Sequence, residues 1–220
     1  MKQSTFKLHI RLSAVALSIA GILFFLYPAI RPFSDETSLQ GARAFASSAW
    51  LLAHMLAMVA FTLLPLGLYG LHSSLKETPA ERLGYLAFNL SVLGIGLTLP
   101  FYGGEAYGLH TVGQEAIRQQ SSALLNLAPI IRSGAGLYMF LIGLLLLAFT
   151  SIITAVAIWK SVKYQKWSGF PFAIGFVLYI PQFFGTQSLR VAHGLLITIG
   201  CLWIAVNLLR RNPVGRSGAA

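Results

Sequence analysis

Apolar residues in this chain come in long, nearly unbroken runs, and short polar segments separate them. Six runs stand out, at about 12–30, 49–71, 84–103, 137–159, 170–186 and 190–209. A helix needs roughly 20 apolar residues to cross the hydrocarbon core of a bilayer. All six runs meet that length or nearly so, and the fifth, which starts with Pro171, is the shortest. Proline is well tolerated in the first turn of a helix, where its missing N–H costs nothing. The pattern predicts an all-α integral membrane bundle of six transmembrane helices arranged as three helical hairpins, in one domain over 1–220. One connection is long, an outer loop at 104–136. Its mixed polar and apolar sequence suits a helical extension of the third span followed by an interfacial segment.

Composition agrees with that reading. The chain is 56% hydrophobic and 10% charged, whereas soluble domains carry about 25% charged residues. The net charge of +10 would suggest nucleic acid in a soluble protein. Here the Lys and Arg residues sit in short segments beside apolar runs, where they orient helices. No nucleic-acid partner is expected; the expected partners are the lipid bilayer and a small or lipid-like ligand. The basic start, MKQSTFKLHIRLS, resembles a signal peptide, but YPAIRPF offers no small-x-small cleavage site, so a retained first helix is expected.

Charge also sets the expected topology. With a cytoplasmic N-terminus, Arg31, Arg43, Arg118, Arg132 and Arg190 fall outside, five of the 16 basic residues. The others fall inside, so both termini are expected in the cytoplasm. The tail LLRRNPVGRSGAA would then lie on anionic lipid. Trp50, Trp159, Trp167, Tyr85 and Tyr102 lie near span ends, where an aromatic belt is expected. The lone Cys201 can form no intrachain disulfide and is expected to pack.

Internal similarity is short. GILFFLYPAI and GFVLYIPQFF match around Tyr27-Pro28 and Tyr179 with Pro181, while LLAHML and RVAHGL share Ala-His. Pro100 adds a third proline near an outer helix end. Bends at these prolines would open a shallow outward-facing cavity, or the prolines would simply end helices at the interface.

Polar groups inside spans are costly and are the natural candidates for chemistry. His54, His193 and Glu105, with His110 at the rim, share the outer half under this topology. Three roles are open to them. They could bind a small or lipid-like ligand, or permit its passage, with histidine tuned by a carboxylate. His54 and His193 could instead hold a haem or a metal in a redox protein or enzyme. Each helix supplies only one histidine, however, and no HxxxH or HExxH fixes two ligands on one face, so no metal site is assigned and a cofactor stays unknown. Third, the histidines could serve packing alone in a structural or accessory subunit, with Glu105 of GGEAYG a solvated residue beyond the span.

The segment HMLAMVAFTLLPLGLYGL, followed by ERLGYLAFNLSVLGIGLTLPFYGGEAYGL, resembles small multi-span bacterial membrane proteins of uncharacterised activity. The resemblance covers the second and third spans. It implies a bacterial inner-membrane location, draws attention to His54 and Glu105, and brings no activity with it.

Overall fold

A computed structural model describes residues 2–210. Nine α-helices are present among them: α1 Lys2–Ile30, α2 Leu39–Ala46, α3 Ser48–Ser74, α4 Glu81–Gly103, α5 Leu109–Arg118, α6 Leu127–Ile131, α7 Gly134–Lys160, α8 Phe170–Val177 and α9 Gln187–Leu209. No strand occurs among the described residues. The basic tail beyond Arg210 lies outside them.

Among the described residues, five helices are long and apolar enough to cross a membrane: α1, α3, the continuous run Glu81–Arg118, α7 and α9. The expected fifth span, 170–186, differs. It is not one helix but α8, a turn, and a 3₁₀ turn at Pro181–Phe184. Pro181 explains the break, because it has no N–H to carry the ladder onward. Leu178 N–H still reaches Ile174 O, but Tyr179 N–H bonds only three residues back, to Phe176 O. Pro28, Pro65 and Pro100 lie inside helices that continue through them, so the sequence echo between the first and fifth runs has no counterpart in local structure.

The broken segment nevertheless follows α9 from end to end in the opposite direction. Trp203 Nε1 donates to Gln165 Oε1 at 2.6 Å. A Cβ at Gly200 would meet Phe172 backbone. His193 Nε2 lies 2.7 Å from Gly175 O, and Arg190 Nε donates to Gly185 O at 3.1 Å. With this segment in place the bundle closes into a ring: α1 packs on α3, α3 on α4, α4 on α7, α7 on α8, α8 on α9, and α9 back on α1.

Small residues bring the helices of the ring together, as membrane bundles require. A Cβ at Gly143 of α7 would lie 2.6 Å from Gly94 O of α4, so only glycine permits that approach. Thr198 Oγ1 donates across to Gly21 O at 2.7 Å, joining α9 to α1. Buried Cys201 packs in the same α1–α9 contact, beside Gly21. Inside the ring, Phe24, Phe61, Tyr102, Phe140, Phe176 and Tyr179 form an aromatic core, with Phe24 edge-on to Phe61 at 4.9 Å. Edge-to-face pairs of this kind add to the area they bury. Outside it, Val59, Leu66, Leu93, Leu145, Phe149 and Ile199 stand exposed. An apolar exterior of this extent suits lipid rather than water.

A smaller second core caps one end of the ring. Phe45 and Ala42 of α2, Trp50 of α3, Leu109 and Ala116 of α5, and Leu125 pack together there. Trp50 and Tyr102 correct the expected aromatic belt: both are buried. Trp50 has a hydrogen-bond partner inside the protein, as described below, and Tyr102 belongs to the ring core. Tyr85, Trp159 and Trp167 are exposed.

Candidate functional site

The site begins with an irregularity in a helix. Past Gly103 the chain continues as a π-turn at Gly104–Gly108 and then as α5. The turn shifts the backbone pairing, with Leu109 N–H bonding Gly104 O five residues back. Such insertions are frequent at functional positions. It places Glu105 inside the protein, only 8% exposed, which corrects the alternative of a solvated residue beyond the span. Trp50 Nε1 donates to the Glu105 backbone oxygen at 2.7 Å and fixes the turn against α3.

His54 lies one turn beyond Trp50 on α3 and is fully buried. Its Nδ1 is 2.8 Å from Trp50 O. A carbonyl can only accept, so Nδ1 carries a proton. Its Nε2 faces the Glu105 carboxylate at 3.6 Å, an ion-pair distance too long for a direct hydrogen bond.

From Glu105 a line of alternating charge runs outward. Arg132 Nη2 donates to Glu105 Oε2 at 3.0 Å and Arg132 Nε to Glu105 Oε1. Arg132 Nη1 donates to Glu36, and Arg31 Nη2 donates to the other Glu36 oxygen at 3.2 Å. Burial acts to lower the Arg132 pKa, but Glu105 and then Glu36 together raise it above its ordinary value, so Arg132 stays cationic. The Arg31 guanidinium is held between two rings, 4.7 Å from the Phe33 centroid and 4.5 Å from that of Trp50. Arg190, in the first turn of α9, lies 5.1 Å from the same Phe33 ring.

These charges form one side of a cavity of about 620 Å³. Arg31, Arg132, Arg190, Glu36 and Glu105 supply its polar side, with Tyr27 and Tyr102. Phe101, Leu137, Phe140, Leu141, Ile180 and Phe183 supply an apolar wall. Tyr27, Phe101 and Ile180, each next to a proline (Pro28, Pro100 and Pro181), are among the residues that line it. Its size is that of small-molecule sites, which run from about 300 to 1,000 Å³.

Of the four residues singled out by sequence, the structure brings His54 and Glu105 together. His193 contacts Tyr179, with ring centroids 5.3 Å apart, and Tyr179 Oη is 2.9 Å from Tyr102 Oη. Tyr102 in turn faces His54 at 6.3 Å. The two imidazoles are therefore linked through tyrosines, and each bonds a different backbone carbonyl. His110 turns away: its Nδ1 is 2.9 Å from Phe45 O and its Nε2 3.0 Å from Gln114. Among the described residues, no group of three or more His, Cys, Asp or Glu is placed to hold a metal ion.

In the sequence Arg31, Arg132 and Arg190 read chiefly as topology markers, and their convergence emerges only in the fold. The available signal is their position, each within a few residues of one end of an apolar run. The chain matches no protein-family model, no curated protein and no solved structure at a significant level.

Proposed function

We propose that this chain is a multi-pass membrane protein that crosses the bilayer six times, as three hairpins with both termini cytoplasmic, and binds a small amphipathic ligand at outer-leaflet depth. The sixth crossing is the broken segment 166–184, which follows α9 along its length. As one wall of the ring it turns Phe172, Phe176 and Tyr179 to the core and leaves Ile174, Val177 and Leu178 exposed, while its irregular turns keep backbone hydrogen bonds of their own, which a crossing segment requires. The eleven basic residues assigned to the opposite end support the orientation.

One observation carries the ligand reading: a cavity of about 620 Å³ in which an apolar wall faces a charged side. Packing alone does not call for five ionised groups around open space, because each is expensive at membrane depth. A ligand with a polar head and an apolar body matches both faces. Glu105 and His54 lie at the inner end of the charge line and position its arginines. His193 supports the site through Tyr179, and His110 ties α5 to α2 at the cap.

The test is binding of a fluorescent single-chain amphiphile to full-length protein in nanodiscs. Leu141→Trp, which fills the apolar side, should abolish saturable binding while the protein stays folded. Equal binding to wild type and Leu141→Trp overturns the proposal. Accessibility of single cysteines tests the topology: a cysteine at Gln120 should react with an impermeant maleimide from outside, and one at Lys76 only after permeabilisation.

A further inference from the structure

The cavity is not charge-neutral. Arg31, Arg132 and Arg190 face Glu36 and Glu105. Glu36 bridges Arg31 and Arg132, and Glu105 takes Arg132 from the other side, opposite His54. Arg190 stands apart from this line. Among the described residues no carboxylate lies within ion-pair distance of it, and its bonds go to the carbonyl oxygens of Gly185 and Phe183. Arg190 also occupies the first turn of α9, the positive end of the helix dipole, where a cation is disfavoured. A second guanidinium, Arg31, lies against the same Phe33 ring. Arg31 is itself buried, and its Nε has no hydrogen-bond partner. Two like charges therefore converge on one ring, at a helix N-terminus, and both line the open space.

The geometry points to an anion-binding clamp: Arg31 and Arg190 hold the carboxylate or phosphate monoester head of a single-chain amphiphile whose tail lies along Phe101, Phe140 and Leu141. This rests on the cavity reading above and adds the sign and chemistry of the head group. The guanidinium is suited to the task, since its planar fork matches carboxylate and phosphate oxygens. An anion there also relieves the repulsion between the two arginines and meets the dipole of α9. The apolar wall sets the second requirement, a hydrocarbon body joined to that head.

The experiment compares ligands that share one alkyl chain and differ in the head: a carboxylate, a phosphate monoester, a neutral alcohol and an ammonium. Each competes with a fluorescent amphiphile for wild-type protein in zwitterionic nanodiscs, and inorganic phosphate and acetate serve as tail-less anions. The carboxylate and the phosphate monoester should compete at least about tenfold better than the alcohol, the size of one charge-assisted hydrogen bond. The ammonium should be weakest, and inorganic phosphate and acetate should compete poorly. Arg190→Gln should remove most of the preference for the acidic heads and leave alcohol binding in place, while Arg190→Lys should retain part of it. An alcohol that matches the acids on wild type overturns the clamp and leaves the cavity reading standing. Inorganic phosphate that matches the lipid phosphate overturns the single-chain occupant. Failure of every amphiphile to bind overturns both readings. Because the head-group comparison uses wild-type protein, it stands even if Arg190→Gln does not fold.

Discussion

Nε2 of His54 lies 3.6 Å from Oε2 of Glu105, and both side chains are buried. Trp50 serves both residues. Its backbone oxygen takes Nδ1 of His54, and its indole N–H takes the backbone oxygen of Glu105. One tryptophan thereby sets the imidazole and the π-turn against each other. The carboxylate then meets Arg132, so the position of the cavity's charged side depends on a contact made within the bundle.

Glu105→Gln should destabilise the protein by about 2–3 kcal/mol. Removing one partner of a buried ion pair leaves the other uncompensated, at a cost of roughly 3–5 kcal/mol. The lower figure applies here because Arg132 keeps Glu36 and is partly exposed. Arg132→Leu should cost a similar amount, and the double variant less than the sum. Thermal unfolding in one detergent, analysed as a double-mutant cycle, measures the coupling. Additive losses would show that the pair does not act as a unit.

Trp50→Phe should cost about 1 kcal/mol through the lost indole bond, since it keeps most of the ring packing. The loss should concentrate at the π-turn. Hydrogen exchange at 104–109 should accelerate more than exchange in α7, and uniform acceleration would argue against a local role for Trp50.

Five spans were legible in the sequence because each carries enough consecutive apolar residues to declare itself. The fifth run was legible as apolar but not as broken, because a single proline at 181 reads equally well as a helix end. Glu105 and His54 were legible as candidates because both are polar groups at matching depth. Their contact was not, since it depends on a π-turn that no local pattern announces. The ion pair of Glu36 with Arg132 joins residues 96 positions apart, and no periodicity encodes a contact at that separation. Trp50 and Tyr102 misled for a related reason. An aromatic residue near a span end suits the interface until a partner inside the bundle claims it.

Gly143→Ala and Gly96→Ala should act in opposite directions. The new Cβ at 143 would meet Gly94 O at 2.6 Å. Backbone cannot yield as a side chain tip can, so a loss of about 1–3 kcal/mol is expected. At Gly96, on the same helix α4 as Gly94, nothing lies within 4 Å. Alanine there should be neutral or add up to about 1 kcal/mol through helix propensity. Melting temperatures of the two variants decide this, and equal effects would contradict the α4–α7 close approach.

The link between α1 and α2 should depend on pH through Asp35. Its carboxylate accepts from the Ser38 hydroxyl, from the Thr37 hydroxyl, and from Thr37 N–H at 2.7 Å. Ser38 Oγ in turn accepts from Gln40 N–H and caps α2. These bonds, Ser38 first, lower the Asp35 pKa from 3.8 to about 2. A carboxylate with a depressed folded pKa binds fewer protons folded than unfolded. Its stabilising effect is therefore complete above the unfolded value and is lost as pH falls from about 3.8 through about 2. Amide exchange at Thr37 and Gln40, corrected for intrinsic rates, should show protection falling across that window. Asp35→Asn should lower protection at pH 5 and flatten its pH dependence. A wild-type profile that is flat between pH 5 and 2 would show that Asp35 does not hold the cap of α2.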